Sequence, residues 1–182
     1  MTPAEYIQLK AFARQDGALL ALLWVATFAL YIIGVSNQML GLAAVMLMLY
    51  TPFFVGERLG KFRDHGREGL ISFRRGYAYT IFVFFYGGVL FAIAQYLYFA
   101  YLDNGFLLSQ FSKVLTSEEA KQMLQQYGMT QMADESLQEM ASIRPIDYAL
   151  NMLTINIALG FLLGIPISLI KQRSVIRNKI EE

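Results

Sequence analysis

Residues 17–56, GALLALLWVATFALYIIGVSNQMLGLAAVMLMLYTPFFVG, run for 40 positions without a charged side chain. One membrane-crossing helix uses about 20 residues, because each adds about 1.5 Å and the hydrocarbon layer is about 30 Å thick. The stretch is therefore twice one crossing. It is interrupted near its middle by Ser36-Asn37-Gln38, which follows Gly34. A polar turn between two apolar runs predicts a tight helical hairpin, with spans at about 17–35 and 39–55. Thr51-Pro52 near the end of the second run predicts a kink there.

The rest of the chain follows the same division. Further charge-free runs occupy 76–101 and 148–170, the latter bounded by Pro145 before it and Lys171 after it. The runs 17–34, 39–55, 76–101 and 148–170 hold 84 of the 182 residues and none of the 29 charges. Hydrophobic residues make up 56%, charged residues 16%, and the mean hydropathy is +0.42. These values predict an all-α integral membrane protein: a four-helix bundle in one membrane domain over 1–182, with a polar outer connector at 102–147. A cleaved signal peptide is the competing reading of the first run. Its length of 18 residues and the lack of a small-x-small site at its end argue for retention.

Orientation follows from the basic residues beside the spans. Lys10 and Arg14 precede the first span. Arg58, Lys61, Arg63, Arg67, Arg74 and Arg75 lie between the second and third, and Lys171, Arg173, Arg177 and Lys179 follow the fourth. That places twelve of the 15 Lys and Arg on one side, while the connector 102–147 has three against seven acids. The expectation is a multi-pass protein of a bacterial inner membrane with both termini cytoplasmic. The net charge of +1 offers no global basic field, which argues against nucleic acid as a partner. With no cysteine and the single His65, thiolate chemistry and multi-histidine metal sites are excluded, and no cofactor is expected.

The polar segments carry their own signals. Thr2-Pro3-Ala4-Glu5 is a capping box with proline at the first helical position. The helix it starts either lies along the membrane surface or extends the first span upstream, with Gly17 as a hinge in either case. The cations at 58, 61, 63, 67, 74 and 75, interleaved near their end with aromatics, are expected to contact lipid headgroups. A phosphate- or nucleotide-binding patch is the sharper alternative, but no glycine-rich strand–helix loop accompanies them. In the outer connector, Thr116-Ser117-Glu118-Glu119 predicts a capped amphipathic helix carrying Ala120, Met123, Leu124 and Tyr127 and stopped by Gly128. A second, weaker helix is predicted at about 131–142. These helices cap the bundle, rest on the outer leaflet or bind a partner. The acids on them lack a calcium-loop pattern and read as solvated.

No ionisable side chain falls within the four spans, which argues against a pump or proton relay. The polar groups that do include Thr27, Gln95, Asn151, Thr154 and Asn156. In the fourth span, Asn151 and Thr154 share one face. Asn156, Gly160, Gly164 and Ser168 form a broadly opposite stripe that permits close helix packing, within the chain or between subunits. Gly87-Gly88 is a complementary surface within the third span. No serine-hydrolase elbow, zinc-protease motif or Walker loop is present, and no catalytic residue is assigned.

Gly69-Leu70-Ile71-Ser72-Phe73, the aromatic run Tyr96-Leu97-Tyr98-Phe99-Ala100-Tyr101-Leu102-Asp103, and Gly160, Gly164 and Ser168-Leu169-Ile170 before a basic tail carry a resemblance. The chain resembles the four-helix membrane proteins of Bacteroidota in domain-of-unknown-function family 4199. The resemblance implies four spans and inner-membrane residence, and it supplies no activity or site residues. Two functions are therefore open. The first is a non-catalytic accessory or assembly protein, partnered by membrane lipids and by a second copy or another membrane protein. The second is a small transporter or lipid-handling protein with a polar route near Gln95 and Asn156.

Overall fold

The computed structural model describes residues 2–173. Arg177 and Lys179, counted above for orientation, lie outside the described residues. Seven α-helices occur among the described residues: α1 (Pro3–Gly34), α2 (Gln38–Gly66), α3 (Phe73–Tyr101), α4 (Phe106–Leu115), α5 (Glu118–Gln126), α6 (Thr130–Ser142) and α7 (Pro145–Lys171). Of these, α1, α2, α3 and α7 are long and apolar enough to cross a membrane, which fits a multi-pass membrane protein.

The capping box forms as the sequence predicts: Thr2 Oγ1 accepts from Glu5 N at 3.3 Å, and Glu5 Oε2 accepts from Thr2 N at 2.9 Å. The helix then runs unbroken to Gly34, so the upstream-extension reading holds and Gly17 is no hinge. Gly17 serves a different purpose. A Cβ there would lie 2.8 Å from Tyr86 Cβ and 3.0 Å from Gly87 N, so its bare backbone lets α1 and α3 approach. Asn37 caps α2 by accepting from Met39 N at 3.1 Å, and α2 continues through Pro52 to Gly66. Beyond it, Glu68 and Gly69 take positive φ (52° and 82°), and Gly69 N donates to Arg63 O at 3.0 Å. That turn sends the chain to Ile71, whose N–H and carbonyl each bond Arg173 at 3.0 Å.

The chain divides into two compact units, residues 1–93 with 151–182, and residues 94–150. The first contains the large core, built on Leu9, Leu20, Trp24, Leu59, Phe62 and Tyr79, all buried. Phe62 stacks on Tyr79 with ring centroids 4.8 Å apart and nearly parallel planes. In the second unit, Phe99 stacks on Tyr148 at 4.4 Å, and the Tyr148 hydroxyl donates to Met140 O at 3.1 Å.

Two details of the second unit differ from the sequence expectation. Helix α4 precedes α5, signalled by Leu107, Phe111 and Val114 at helical spacing. Because Thr116 is the C-cap of α4, donating to Ser112 O at 2.7 Å, the N-cap of α5 is Ser117 instead. Ser117 Oγ accepts from Ala120 N at 3.3 Å.

Candidate functional site

The α1–α2 hairpin turns at Asn37, and antiparallel helices pair residues equidistant from their turn. Asp16 lies 21 residues before Asn37, and Arg58 lies 21 residues after it. The hairpin therefore brings a carboxylate and a guanidinium level, just outside the apolar run. Arg58 Nε donates to Asp16 Oδ1 at 2.5 Å. The other carboxylate oxygen accepts from the hydroxyl of Tyr79, on the first turns of α3. Asp16 is 3% exposed and Tyr79 is fully buried, with Phe62 covering the tyrosine ring. Reading each span separately missed this cluster, since Asp16 falls one residue outside the first. The signal that reveals it is the hairpin register. The same register joins Trp24 Nε1 to Thr51 Oγ1 at 3.1 Å, a buried hydrogen bond deeper in the hairpin.

A second set of contacts closes the same end. Glu5 receives Arg75 Nη2 at 2.7 Å and Arg67 Nη2 at 3.0 Å, and Gln8 Nε2 donates to Gly66 O at 3.1 Å. The amide of Thr2, then the Arg67 and Arg75 guanidiniums, hold the Glu5 carboxyl down at about 2. Arg63 donates from Nε to Asp64 at 2.7 Å and from Nη1 to Lys171 O at 3.2 Å, tying α2 to the last turn of α7. The hydrogen bond from Arg63 lowers the Asp64 pKa.

Of the six cations expected at lipid headgroups, Arg58, Arg63, Arg67 and Arg75 are thus drawn to protein partners, and only Lys61 and Arg74 are exposed. The physical reason is local supply: Glu5 and Asp16 on α1 and Asp64 on α2 itself lie within reach of these arginines. His65 is exposed, and its ring Nδ1 lies 3.1 Å from Lys61 O.

The stripe on α7 is buried along its whole length. A Cβ on Gly160 would lie 2.7 Å from Phe84 Cβ, and one on Gly164 would lie 3.0 Å from the Tyr77 ring. Ser168 faces Gly76, and Asn156 faces Gly88. The Tyr77 hydroxyl reaches across to Phe161 O at 3.3 Å. The close approach is therefore made within the chain, between α7 and α3. Of the glycine pair in α3, Gly88 meets α7, whereas Gly87 meets Gly17 and Leu20 of α1. On the other face of α7, Asn151 and Thr154 are exposed. Gln95 is 3% exposed and Asn156 6%; Gln95 Oε1, Asn156 Nδ2 and Ser168 Oγ have no hydrogen-bond partner among the described residues.

Chemically, the Asp16 cluster is closed. Both oxygens of its carboxylate are engaged, one by the Arg58 guanidinium and the other by the Tyr79 hydroxyl. No group of three or more His, Cys, Asp or Glu able to hold a metal occurs among the described residues. The arrangement joins three helices, and its chemistry is that of a structural tie. No curated protein and no solved structure matches this chain. A family model described as "Protein of unknown function (DUF4199)" matches residues 15–173, from beside Asp16 to the end of the Ile71–Arg173 bridge, and the chain belongs to that family.

Proposed function

We propose that this protein works by binding rather than by catalysis, as an accessory or assembly component that engages another membrane protein through α5 and α6. The observation that carries the reading is that neither helix has a buried residue, although both have apolar side chains at helical spacing. Leu124, Ala133 and Leu137 are half-buried, whereas Met123, Tyr127 and Met132 are 60%, 68% and 60% exposed. Short helices in water gain little from propensity and depend on a surface that covers their apolar side. Flexible methionines beside a tyrosine suit a protein partner, because they adapt to a contact surface and bury a large area.

The absence of cysteine makes the test clean. Single Met123→Cys, Tyr127→Cys and Gln125→Cys variants, each with a thiol-linked photocrosslinker, are illuminated in native membranes. The expected result is one defined protein adduct from positions 123 and 127, lost when Met132→Asp is added. Adducts spread equally over all three positions, or lipid adducts alone, overturn the reading.

We further propose a bacterial inner membrane as the site, with both ends cytoplasmic and 102–147 outside; the twelve-to-three division of Lys and Arg supports it. Labelling of single cysteines at Ser36, Gly128 and Lys61 by a membrane-impermeant maleimide tests it. The first two are expected to react from outside and the third only after lysis.

A second reading, a polar route for a transported solute or lipid, draws on the partnerless buried amide atoms of Gln95 and Asn156. It requires Gln95→Leu and Asn156→Leu to abolish flux in reconstituted vesicles while the fold is kept.

A further inference from the structure

A groove of about 480 Å³ runs between α2 and α7, within the first unit. Pro52, Phe53, Leu163, Pro166 and Ile170 form its walls. Gly56 lines it on α2, where a Cβ would meet Lys171 Cε at 3.6 Å and Ile167 Cγ2 at 3.9 Å, both ordinary contact distances. Among its lining residues only Glu57 and Lys171 are charged, and they lie where the two helices leave their charge-free stretches. From Leu163 to Lys171 the helix rises about 12 Å at about 1.5 Å per residue. One end of the groove is therefore at the depth of acyl chains, and the other is at headgroup depth.

The two charges do not neutralise each other. Glu57 accepts a hydrogen bond from the Tyr50 hydroxyl at 3.1 Å, and neither residue forms an ion pair among the described residues. The Lys171 ammonium has no hydrogen-bond partner among them, and its stem extends over Gly56 towards Gly60. Nearby Arg63 and Arg58 are already committed to Asp64 and Asp16. The groove is thus lined by one cation and one carboxylate that, among the described residues, form no ion pair, and its remaining walls are apolar.

We infer that this groove binds one zwitterionic aminophospholipid. Its phosphate pairs with Lys171, its primary ammonium donates to Glu57, and an acyl chain lies between Pro52 and Pro166. An anionic lipid satisfies Lys171 but meets the Glu57 carboxylate. A choline lipid keeps the charge pattern but has no N–H to donate. Recognition of the ammonium therefore separates phosphatidylethanolamine from both.

The test is native mass spectrometry of the full chain in mild detergent, titrated separately with phosphatidylethanolamine, phosphatidylcholine and phosphatidylglycerol of matched chains. Phosphatidylethanolamine is expected to bind at one per chain, at least about tenfold tighter than the others, the size of one charge-assisted hydrogen bond. Glu57→Gln is expected to abolish that preference, and Lys171→Ala to weaken binding of all phospholipids about tenfold. Gly56→Phe, which fills the trough, is expected to remove the bound lipid while the helical circular dichroism is unchanged. Equal binding of the three lipids, or undiminished occupancy in a folded Gly56→Phe variant, overturns the inference, leaving only exchangeable boundary lipid.

Discussion

Arg58 reaches Asp16 at 2.5 Å from the far arm of the α1–α2 hairpin, and the carboxylate it meets is 3% exposed. The pair fixes the hairpin register, with Tyr79 extending it to α3. Removing one partner leaves an uncompensated buried charge. Asp16→Ala and Arg58→Ala are each expected to destabilise the protein by about 3–5 kcal/mol, and the double variant by much less than the sum. Equilibrium unfolding in mixed micelles with increasing sodium dodecyl sulfate measures this.

Thr51→Val tests the deeper rung. The variant keeps its shape and leaves the Trp24 indole N–H buried without an acceptor, a loss of about 1–3 kcal/mol. The chain has a single tryptophan, so the fluorescence emission maximum is expected to shift in the variant and report the change directly.

The turn itself is asymmetric. A Cβ on Gly34 would lie 2.5 Å from Gly41 N, backbone against backbone, whereas a Cβ on Gly41 would lie 3.4 Å from Gly34 O. Gly34→Ala is therefore expected to cost about 3 kcal/mol or more. Gly41→Ala is expected to stay within about 1 kcal/mol of the parent, because alanine recovers helix propensity. Thermal unfolding of the two variants separates them.

Gly160→Ala forces a Cβ to within 2.7 Å of Phe84 Cβ, an atom fixed to the α3 backbone. Destabilisation of about 1–3 kcal/mol is expected. Since α3 already fills this face, the oligomeric state by light scattering in detergent is expected to be unchanged.

Acid is expected to open the N-terminal clasp. The Glu5 carboxyl is held at about 2 against an ordinary 4.5. A depressed carboxylate contributes its full stabilisation above the ordinary value and loses it as pH falls towards the lowered one. Between about pH 4.5 and 2, the protection factors of the first-turn amides of α1, taken relative to the intrinsic exchange rate at each pH, are expected to fall. Glu5→Gln is expected to remove that pH dependence and to be less protected than the parent above about pH 4.5.

The four long apolar helices were legible because water-to-lipid transfer acts on each segment's own composition, and charge-free runs of the needed length are visible one at a time. The Thr2–Glu5 cap was legible for a similar reason, being a bond between residues three apart. The destination of Arg58, Arg63, Arg67 and Arg75 was not. Their charge announces a boundary with water whether the counter-ion is a lipid phosphate or Asp16, Asp64 and Glu5. The stripe on α7 was visible as small residues at helical spacing, yet its partner was not, because the same spacing suits α3 or a second copy.

The sequence by itself determined which long segments are apolar, where the hairpin turns, and where charge begins, since all are local properties of composition and spacing. The tertiary structure decided which charges neutralise one another. It set Phe84 and Tyr77 against the α7 glycines, and among the described residues it left Lys171 and Glu57 without an ion pair beside an apolar trough. Those outcomes depend on the rotation and depth at which helices far apart in the chain meet, and no single helix encodes either.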